Sequence, residues 1–196
     1  MITFKKQEII YRPYEPYVKL VVDLIMIVCV AYLLVTLYAG QVTIYGNSMN
    51  DTLEAGETVL IDKAVFNLRD IKRYDIIAFE SGDETEEYFV KRVIALPGET
   101  VQIVDGAVYV DGKILTDDVI DLTIYNPGIV TEPVKLAYDE YFVLGDNRNN
   151  SSDSRFSNVG MVKKSSIIGK PWLVVYPVSN VGIISTDQVG EEETNE

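Results

Sequence analysis

A long, nearly uncharged run close to the N-terminus constrains this chain more than any other feature. It extends from Val18 to Ala39, and after Asp23 it contains no charged residue. About 20 helical residues at 1.5 Å each cross a hydrocarbon core of about 30 Å, so the run predicts one transmembrane helix. Tyrosines at or near its two ends suit the membrane interfaces: Tyr14, Tyr17, Tyr32 and Tyr38.

The charges around the run predict its orientation in the cell membrane. Lys5, Lys6 and Arg12 precede the apolar run and Lys19 is its second residue, whereas no Lys or Arg follows until Lys63. Positive charge stays on the cytoplasmic side, so residues 1–17 are predicted to be cytoplasmic and the chain beyond Ala39 extracytoplasmic.

A cleaved signal peptide is the alternative interpretation of the same run. Its basic region would be unusually long, and Leu37-Tyr38-Ala39 lacks the small residue that cleavage requires two positions earlier. A lipoprotein signal at Cys29 also fails, because Ile27 and Val28 precede the cysteine. The sequence therefore predicts an uncleaved anchor over residues 18–39.

Composition excludes several classes of function. The net charge of −13 is offset by no basic stripe, so nucleic acid is not an expected partner. Cys29 is the single cysteine and there is no histidine, which rules out an internal disulfide and a zinc cluster. No loop has calcium-ligand spacing, and we expect neither a metal nor another cofactor.

Beyond the anchor, short β-prone segments alternate with turn residues. Asp105-Gly106 and Asp111-Gly112 separate such segments, and Asp-Gly is the strongest short signal for a tight hairpin. A mainly β fold is predicted: an antiparallel catalytic domain over 40–185, with a small inserted β lobe at about 101–138. The predicted strands are Thr58–Ile61, Ile76–Phe79, Thr100–Val104, Ala107–Val110, Lys113–Leu115, Tyr141–Leu144 and Trp172–Tyr176. Ala64–Leu68 is predicted as a helical turn, Ser81–Glu87 as an acidic loop and 186–196 as a disordered acidic tail.

Ser48 lies nine residues past the apolar run. Gly46 lets the backbone approach a substrate closely, and Met49 gives the position an apolar edge. Because the chain has no histidine, a nucleophilic Ser48 would need an amine or a carboxylate as its base. Taken alone, Gly-Asn-Ser is also an ordinary turn.

Lys91 is the best candidate for that base. In an extended strand it shares a face with Phe89 and Val93, while Val90 and Arg92 point to the opposite face. Burial disfavours the ammonium form, and a pKa lowered by about three from a value near 10.4 would leave a substantial share of the amine neutral at pH 7. The alternative is a lysine whose ammonium reaches water at the strand edge.

A polar block from Gly145 to Arg155 follows the predicted strand Tyr141–Leu144. It reads either as a solvated loop or as a support for the site. In an extended segment Asp153 and Arg155 share a face and can form an ion pair. The Ser151 hydroxyl could orient the Lys91 amine by a hydrogen bond.

Together and in this order, these three blocks resemble the bacterial type I signal peptidases. The likeness includes Arg73–Phe79, similar to the family's Arg-Gly-Asp stretch, and Ile168-Gly169-Lys170. It covers nearly the whole chain from the anchor to Tyr176, with a divergent middle from Thr116 to Lys135.

The resemblance implies a Ser/Lys protease that removes signal peptides from exported proteins at Ala-x-Ala sites. Ser48 aligns with the nucleophile, Lys91 with the general base and Ser151 with the hydroxyl that orients the lysine. Asp153 and Arg155 align with a structural pair, and Gly46, Asp146, Asn147 and Arg148 lie in the supporting motifs.

Ile44 and Val90, with Met49 beside them, match the residues that line the substrate pockets in the family. The backbone N–H of Ser48 would donate a hydrogen bond to the oxyanion. Some relatives have a hydroxyl two residues upstream of the nucleophile that acts as a second donor, whereas this chain has Gly46 at that position.

Two residues depart from the family pattern. Asp51 replaces a proline three residues after Ser48, and Tyr74 replaces the glycine of the Arg-Gly-Asp stretch. Asp51 would either accept from the Thr52 or Leu53 N–H groups or raise the pKa of the lysine. The fold is expected to survive both changes.

We therefore expect a membrane-bound signal peptidase whose partners are preproteins and the lipid bilayer. The export machinery is a further candidate partner. The alternative is a catalytically weak relative that acts as an assembly partner, for example in pilus biogenesis. A self-cleaving repressor with Ser/Lys chemistry is excluded by the anchor and by the missing DNA-binding segment.

Overall fold

The structure is a computed structural model that describes residues 14–50, 52–80, 88–116, 120 and 123–184. Several predictions fall outside these ranges: the role of Asp51, the acidic loop 81–87 and the tail 186–196. The basic residues before position 14 also lie outside them. The chain divides between Tyr38 and Ala39 into two units, each described by itself.

The first unit contains helix α1, Glu15–Tyr38, which begins three residues before the predicted span and ends one residue earlier. Pro16 lies in its first turn, where the missing N–H removes no helical hydrogen bond. Its 24 residues extend about 36 Å at 1.5 Å each. The stretch Glu15–Leu33 is long and apolar enough to cross a membrane.

The described residues of the second unit form two antiparallel sheets. The larger sheet has the order β1-β2-β11-β3-β4-β9-β10, and β12 pairs with β11. Its strands are β1 (Ala39–Thr43), β2 (Thr58–Asp62), β3 (Ile76–Glu80), β4 (Tyr88–Ala95), β9 (Glu140–Leu144), β10 (Val162–Lys163), β11 (Ile167–Tyr176) and β12 (Gly182–Ile183). Helix α2, Val65–Leu68, lies where the helical turn was predicted.

The smaller sheet forms the lobe inserted between β4 and β9. Its order is β7-β6-β5-β8, with β5 Thr100–Val104, β6 Ala107–Val110, β7 Lys113–Ile114 and β8 Val134–Lys135. Both predicted Asp-Gly turns have positive φ at both residues: 49° and 81° at Asp105-Gly106, and 51° and 76° at Asp111-Gly112. The predicted mainly antiparallel β fold with one N-terminal apolar helix is confirmed.

Strand β4 crosses all three clusters of the hydrophobic core. Val90 belongs to the cluster that contains Val42 and Ile61. Val93 belongs to the cluster with Val143, and Ile94 belongs to the one that the small sheet shares with β9. Lys91 therefore lies on a strand that is fixed by packing on both faces.

Tyr74, the residue that replaces the family glycine, keeps a glycine-like backbone with φ of 71°. Its N–H donates to Val93 O at 2.8 Å, and Arg92 Nη1 donates to its carbonyl at 3.1 Å. A left-handed conformation costs a side-chain-bearing residue about 1–2 kcal/mol. Burial of the tyrosine ring, 8 % exposed, offsets a penalty of that size. The expectation that the fold tolerates this change agrees with the structure.

Candidate active site

Ser48 is carried by a short turn between β1 and β2. The Met49 carbonyl accepts hydrogen bonds from Thr52 N at 3.0 Å and from Leu53 N at 2.8 Å, which closes one helical turn. The side chains of Met49 and Leu53 are buried in the same core cluster as Val90. These are the two N–H groups that the sequence offered as one of two alternative roles for Asp51, which lies outside the described residues. The turn is therefore anchored through its apolar side.

Lys91 reaches this turn from β4. The residue is 3 % exposed, and Nζ donates to Ser48 Oγ at 2.7 Å and to Val90 O at 3.1 Å. The Phe89 ring lies 5.4 Å from Nζ and covers the amine on the same strand face. The predicted alternative, a lysine that reaches water at the strand edge, is wrong because packing on β4 encloses the side chain.

Burial lowers the pKa of Lys91 from 10.5 to about 8, while the charges of Asp153 and Asp146 raise it in opposition. The sequence also predicted a lowered pKa. It did not reveal the positions of these two carboxylates, which stabilise the ammonium form and so oppose the lowering. With a pKa of about 8, roughly one lysine in ten is neutral at pH 7.

Asp153 and Arg155 form a buried ion pair, as the shared-face pattern predicted. Arg155 Nε donates to Asp153 Oδ1 at 2.8 Å, and the two side chains are 2 % and 0 % exposed. Asp153 Oδ2 also accepts from Gly145 N at 3.1 Å, and Arg155 Nη2 donates to the carbonyl of Arg148. The pair thus fixes the path of the loop that follows β9.

A second buried pair, Asp146 with Arg92, lies beside the first. Arg92 Nε and Nη2 donate to the two oxygens of Asp146 at 2.8 and 2.7 Å. Thr52 Oγ1 donates to Asp146 Oδ2 at 2.6 Å. Sequence reasoning named Asp146 but missed Arg92 and Thr52. A signal for Arg92 was present, because a charged residue inside an apolar strand needs a buried partner.

Ser151 does not make the hydrogen bond that the sequence predicted. Its Oγ is buried and has no hydrogen-bond partner among the described residues. The hydroxyl nevertheless lies at the site, because a Cβ on Gly145 would collide with both Ser151 Oγ and the Ser48 carbonyl. Lys91 Nζ instead donates hydrogen bonds to Ser48 Oγ and to the Val90 carbonyl.

Of the remaining predicted supports, Asn147 contacts the Ser48 turn directly. Asn147 N donates to Ser48 O at 3.1 Å, and Asn147 Nδ2 donates to Asn47 O at 3.1 Å. Gly46 has φ of 77°, and a Cβ there would meet nothing within 4 Å. Arg148 is 1 % exposed and contributes its carbonyl to Arg155.

A cavity of about 220 Å³ opens onto Ser48 and Lys91. One part of its lining is apolar and includes the predicted pocket residues Ile44, Val90 and Met49. Asn150 and Ser152, which sequence reasoning did not name, add polar groups to the lining. Among the described residues, no group of three or more acidic, His or Cys side chains could hold a metal ion.

The comparisons with known proteins fit this geometry. Residues 17–176 match the family described as "Signal peptidase, peptidase S26". The chain belongs to this signal peptidase family. The resemblance inferred from the Ser48, Lys91 and Gly145–Arg155 blocks is thereby confirmed.

Curated members of the signal peptidase family align over most of the chain. A "Probable signal peptidase I-2" of Synechocystis is 34% identical over 190 residues, or 94% of this chain and 84% of that protein. "Signal peptidase I P" of Bacillus subtilis subsp. natto is 32% identical over 175 residues, or 82% and 92%. A solved signal peptidase I from Enterococcus faecalis V583 is 32% identical and covers 52% of this chain and 97% of its own, with a TM-score of 0.42.

Proposed function

We propose that this chain is a membrane-anchored serine endopeptidase that removes N-terminal signal peptides from exported preproteins. One observation carries the proposal: the amine nitrogen of Lys91, a residue that is 3 % exposed, lies 2.7 Å from the Ser48 hydroxyl oxygen. A buried amine with a lowered pKa is the form of lysine that can accept a proton from serine.

In the proposed reaction, neutral Lys91 accepts the Ser48 proton as Oγ attacks the carbonyl carbon of the scissile bond. The 2.7 Å contact serves this transfer, because a neutral amine accepts from the hydroxyl at the same separation. The tetrahedral intermediate collapses when Lys91 returns the proton to the departing amine. Lys91 then deprotonates a water that attacks the acyl-enzyme carbonyl, and it returns this proton to Ser48 Oγ as the acyl group leaves. The backbone N–H of Ser48 is proposed to donate to the oxyanion.

The substrate is proposed to bind as an added strand. Among the described strands β1 pairs only with β2, and the pairing of β9 with β4 begins at Arg92. The edge of β1 and the first half of β4 are therefore available for main-chain hydrogen bonds to an extended peptide. The apolar part of the cavity, which Ile44 and Val90 line, suits the alanine side chains of an Ala-x-Ala cleavage site.

Helix α1 is proposed to anchor the protein in the cell membrane with the N-terminus in the cytoplasm. The basic residues before the helix and the lack of Lys or Arg from Leu20 to Asp62 support this orientation. Ser48 follows the helix end by ten residues, so the site lies on the extracytoplasmic side. Signal peptides span the same bilayer, and a contact with the export machinery is compatible with this location.

The test is to incubate the full chain, in detergent, with a preprotein that carries an Ala-x-Ala site and to identify the new N-terminus by mass spectrometry. Wild type should cleave at that site. Ser48→Ala and Lys91→Met should lose at least about 10³-fold in rate, because each removes one member of the reacting pair. Thermal unfolding should show that both variants remain folded. Cleavage retained by either variant would refute the assignment, and an inactive but folded wild type would favour the assembly-partner alternative.

A further inference from the structure

We propose that Thr52 is a positioning residue that holds the Ser48 turn in register with Lys91, an inference that rests on the proposed function. The observation behind it is a contact between distant parts of the chain. Thr52 Oγ1 lies 2.6 Å from Asp146 Oδ2, although the two residues are 94 positions apart.

The local geometry keeps Thr52 off the buried apolar face of the turn. Leu53 N donates to Met49 O in the i to i+4 pattern of an α-helix. Residues four apart on a helical turn share a face, so Met49 and Leu53 lie together on the buried side. Their side chains fix the turn to the core, and the Thr52 hydroxyl adds a polar attachment to Asp146.

The partner of Thr52 is rigid. Both oxygens of Asp146 are bonded by Arg92, and the pair is 2 % and 0 % exposed. An ionised carboxylate has no proton to give, so Thr52 must be the donor. The threonine oxygen then faces Arg92 Nη2 at 3.4 Å, which closes a triangle of three side chains.

This triangle joins the three segments that carry the site. Thr52 belongs to the Ser48 turn, Asp146 to the loop after β9, and Arg92 to β4 directly beside Lys91. The hydrogen bonds of Asn147 also hold the Ser48 turn, but they attach it to the loop and not to the lysine strand. Thr52 links the nucleophile to β4 through one carboxylate. A misplacement of about 1 Å in such a site can cost about 10²-fold in rate.

The experiment compares four full-length proteins in detergent: wild type, Thr52→Val, Thr52→Ser and Thr58→Val. Valine keeps the shape of threonine without its hydroxyl, and serine keeps the hydroxyl. Thr58→Val is a matched control from the neighbouring strand, because its hydroxyl contacts only Thr43 Oγ1 among the described residues, at 3.3 Å. If Thr52→Val does not fold, Thr52→Ala replaces it.

Preprotein cleavage gives the first readout. We expect Thr52→Val to lower kcat by about 10- to 100-fold with KM within about twofold, because reaction geometry changes and substrate contacts do not. Thr52→Ser should recover kcat to within about threefold of wild type, as the hydroxyl bond is restored. Thr58→Val should match wild type.

Trace acetylation of Lys91 at a series of pH values, read by mass spectrometry, gives a second readout that needs no activity. Desolvation is the main cause of the lowered pKa of Lys91, so a loosened turn that admits water should raise the labelling midpoint by about one pH unit. Unchanged kcat and midpoint in Thr52→Val would overturn the inference and leave the proposed function standing. An inactive wild type would overturn the proposed function, and the midpoints would still decide whether Thr52 positions the turn.

Discussion

The inserted sheet and the Ser48–Lys91 site lie in the same unit but are built in opposite ways. In the sheet, β5, β6 and β7 follow one another and are joined by two Asp-Gly turns. In the site, the contacts join residues 43, 54 and 94 positions apart. The sheet is specified by a few adjacent residues, whereas the site exists only when several distant segments pack correctly. Equivalent substitutions should therefore have very different effects in the two regions.

The largest expected difference concerns two lysines. Lys91→Arg should lower preprotein cleavage by at least about 10³-fold, because a guanidinium stays protonated and cannot accept the serine proton. Lys113→Arg, at an exposed position of β7, should leave the rate unchanged. The measurement is kcat/KM of both variants, with circular dichroism to show folding. Cleavage by Lys91→Arg above a tenth of the wild-type rate would contradict the role of a neutral amine.

The pH dependence of cleavage gives the next effect. Activity needs the neutral amine, so kcat/KM should rise with pH and level off above the Lys91 pKa of about 8. Well below that value the rise should be about tenfold per pH unit. Because burial lowers the folded-state pKa, the unfolded chain holds more protons between about pH 8 and 10.5, and folding stability due to Lys91 rises with pH there. A flat profile from pH 6 to 9, with the protein folded throughout, would argue against Lys91 as the base.

Two glycines give the smallest and most local test. Gly145→Ala places a Cβ against the Ser48 carbonyl and the Ser151 hydroxyl, so we expect a loss of about tenfold or more in kcat. Gly112→Ala, in the second Asp-Gly turn, meets nothing within 4 Å but has φ of 76°. It should cost about 1–2 kcal/mol in the free energy of unfolding, with kcat unchanged. Equal effects on kcat would mean that the site is no more sensitive to packing than the lobe.

The predicted strands agree with the structure where the sequence signal is local, and the strands that were missed depend on tertiary contacts. The bounds of β5 and β6 agree exactly with the sequence prediction, because Asp-Gly turns and β-prone runs act locally. Strand β1 was not predicted, since its residues directly follow the apolar run and its pairing with β2 is a tertiary contact. The two-residue strands β8, β10 and β12 also carry no local signal. They exist because a neighbouring strand supplies their hydrogen bonds.

For the site, residue chemistry made Ser48, Lys91 and the Asp153–Arg155 pair candidates, and the resemblance to the signal peptidases implied their roles. The absence of histidine left amines and carboxylates as bases, and an apolar strand pointed to a buried lysine. The sequence did not reveal that Asp146 pairs with Arg92 and Thr52, or that the Ser151 hydroxyl has no partner among the described residues.

The sequence by itself determined the apolar helix, the β class and the residue types able to react, because each depends on composition or on neighbours along the chain. The tertiary structure alone decided how close the amine lies to the hydroxyl and which carboxylates oppose the lowering of its pKa. Distance and dielectric environment depend on residues far apart in the chain. Their effects are set only when the core has packed.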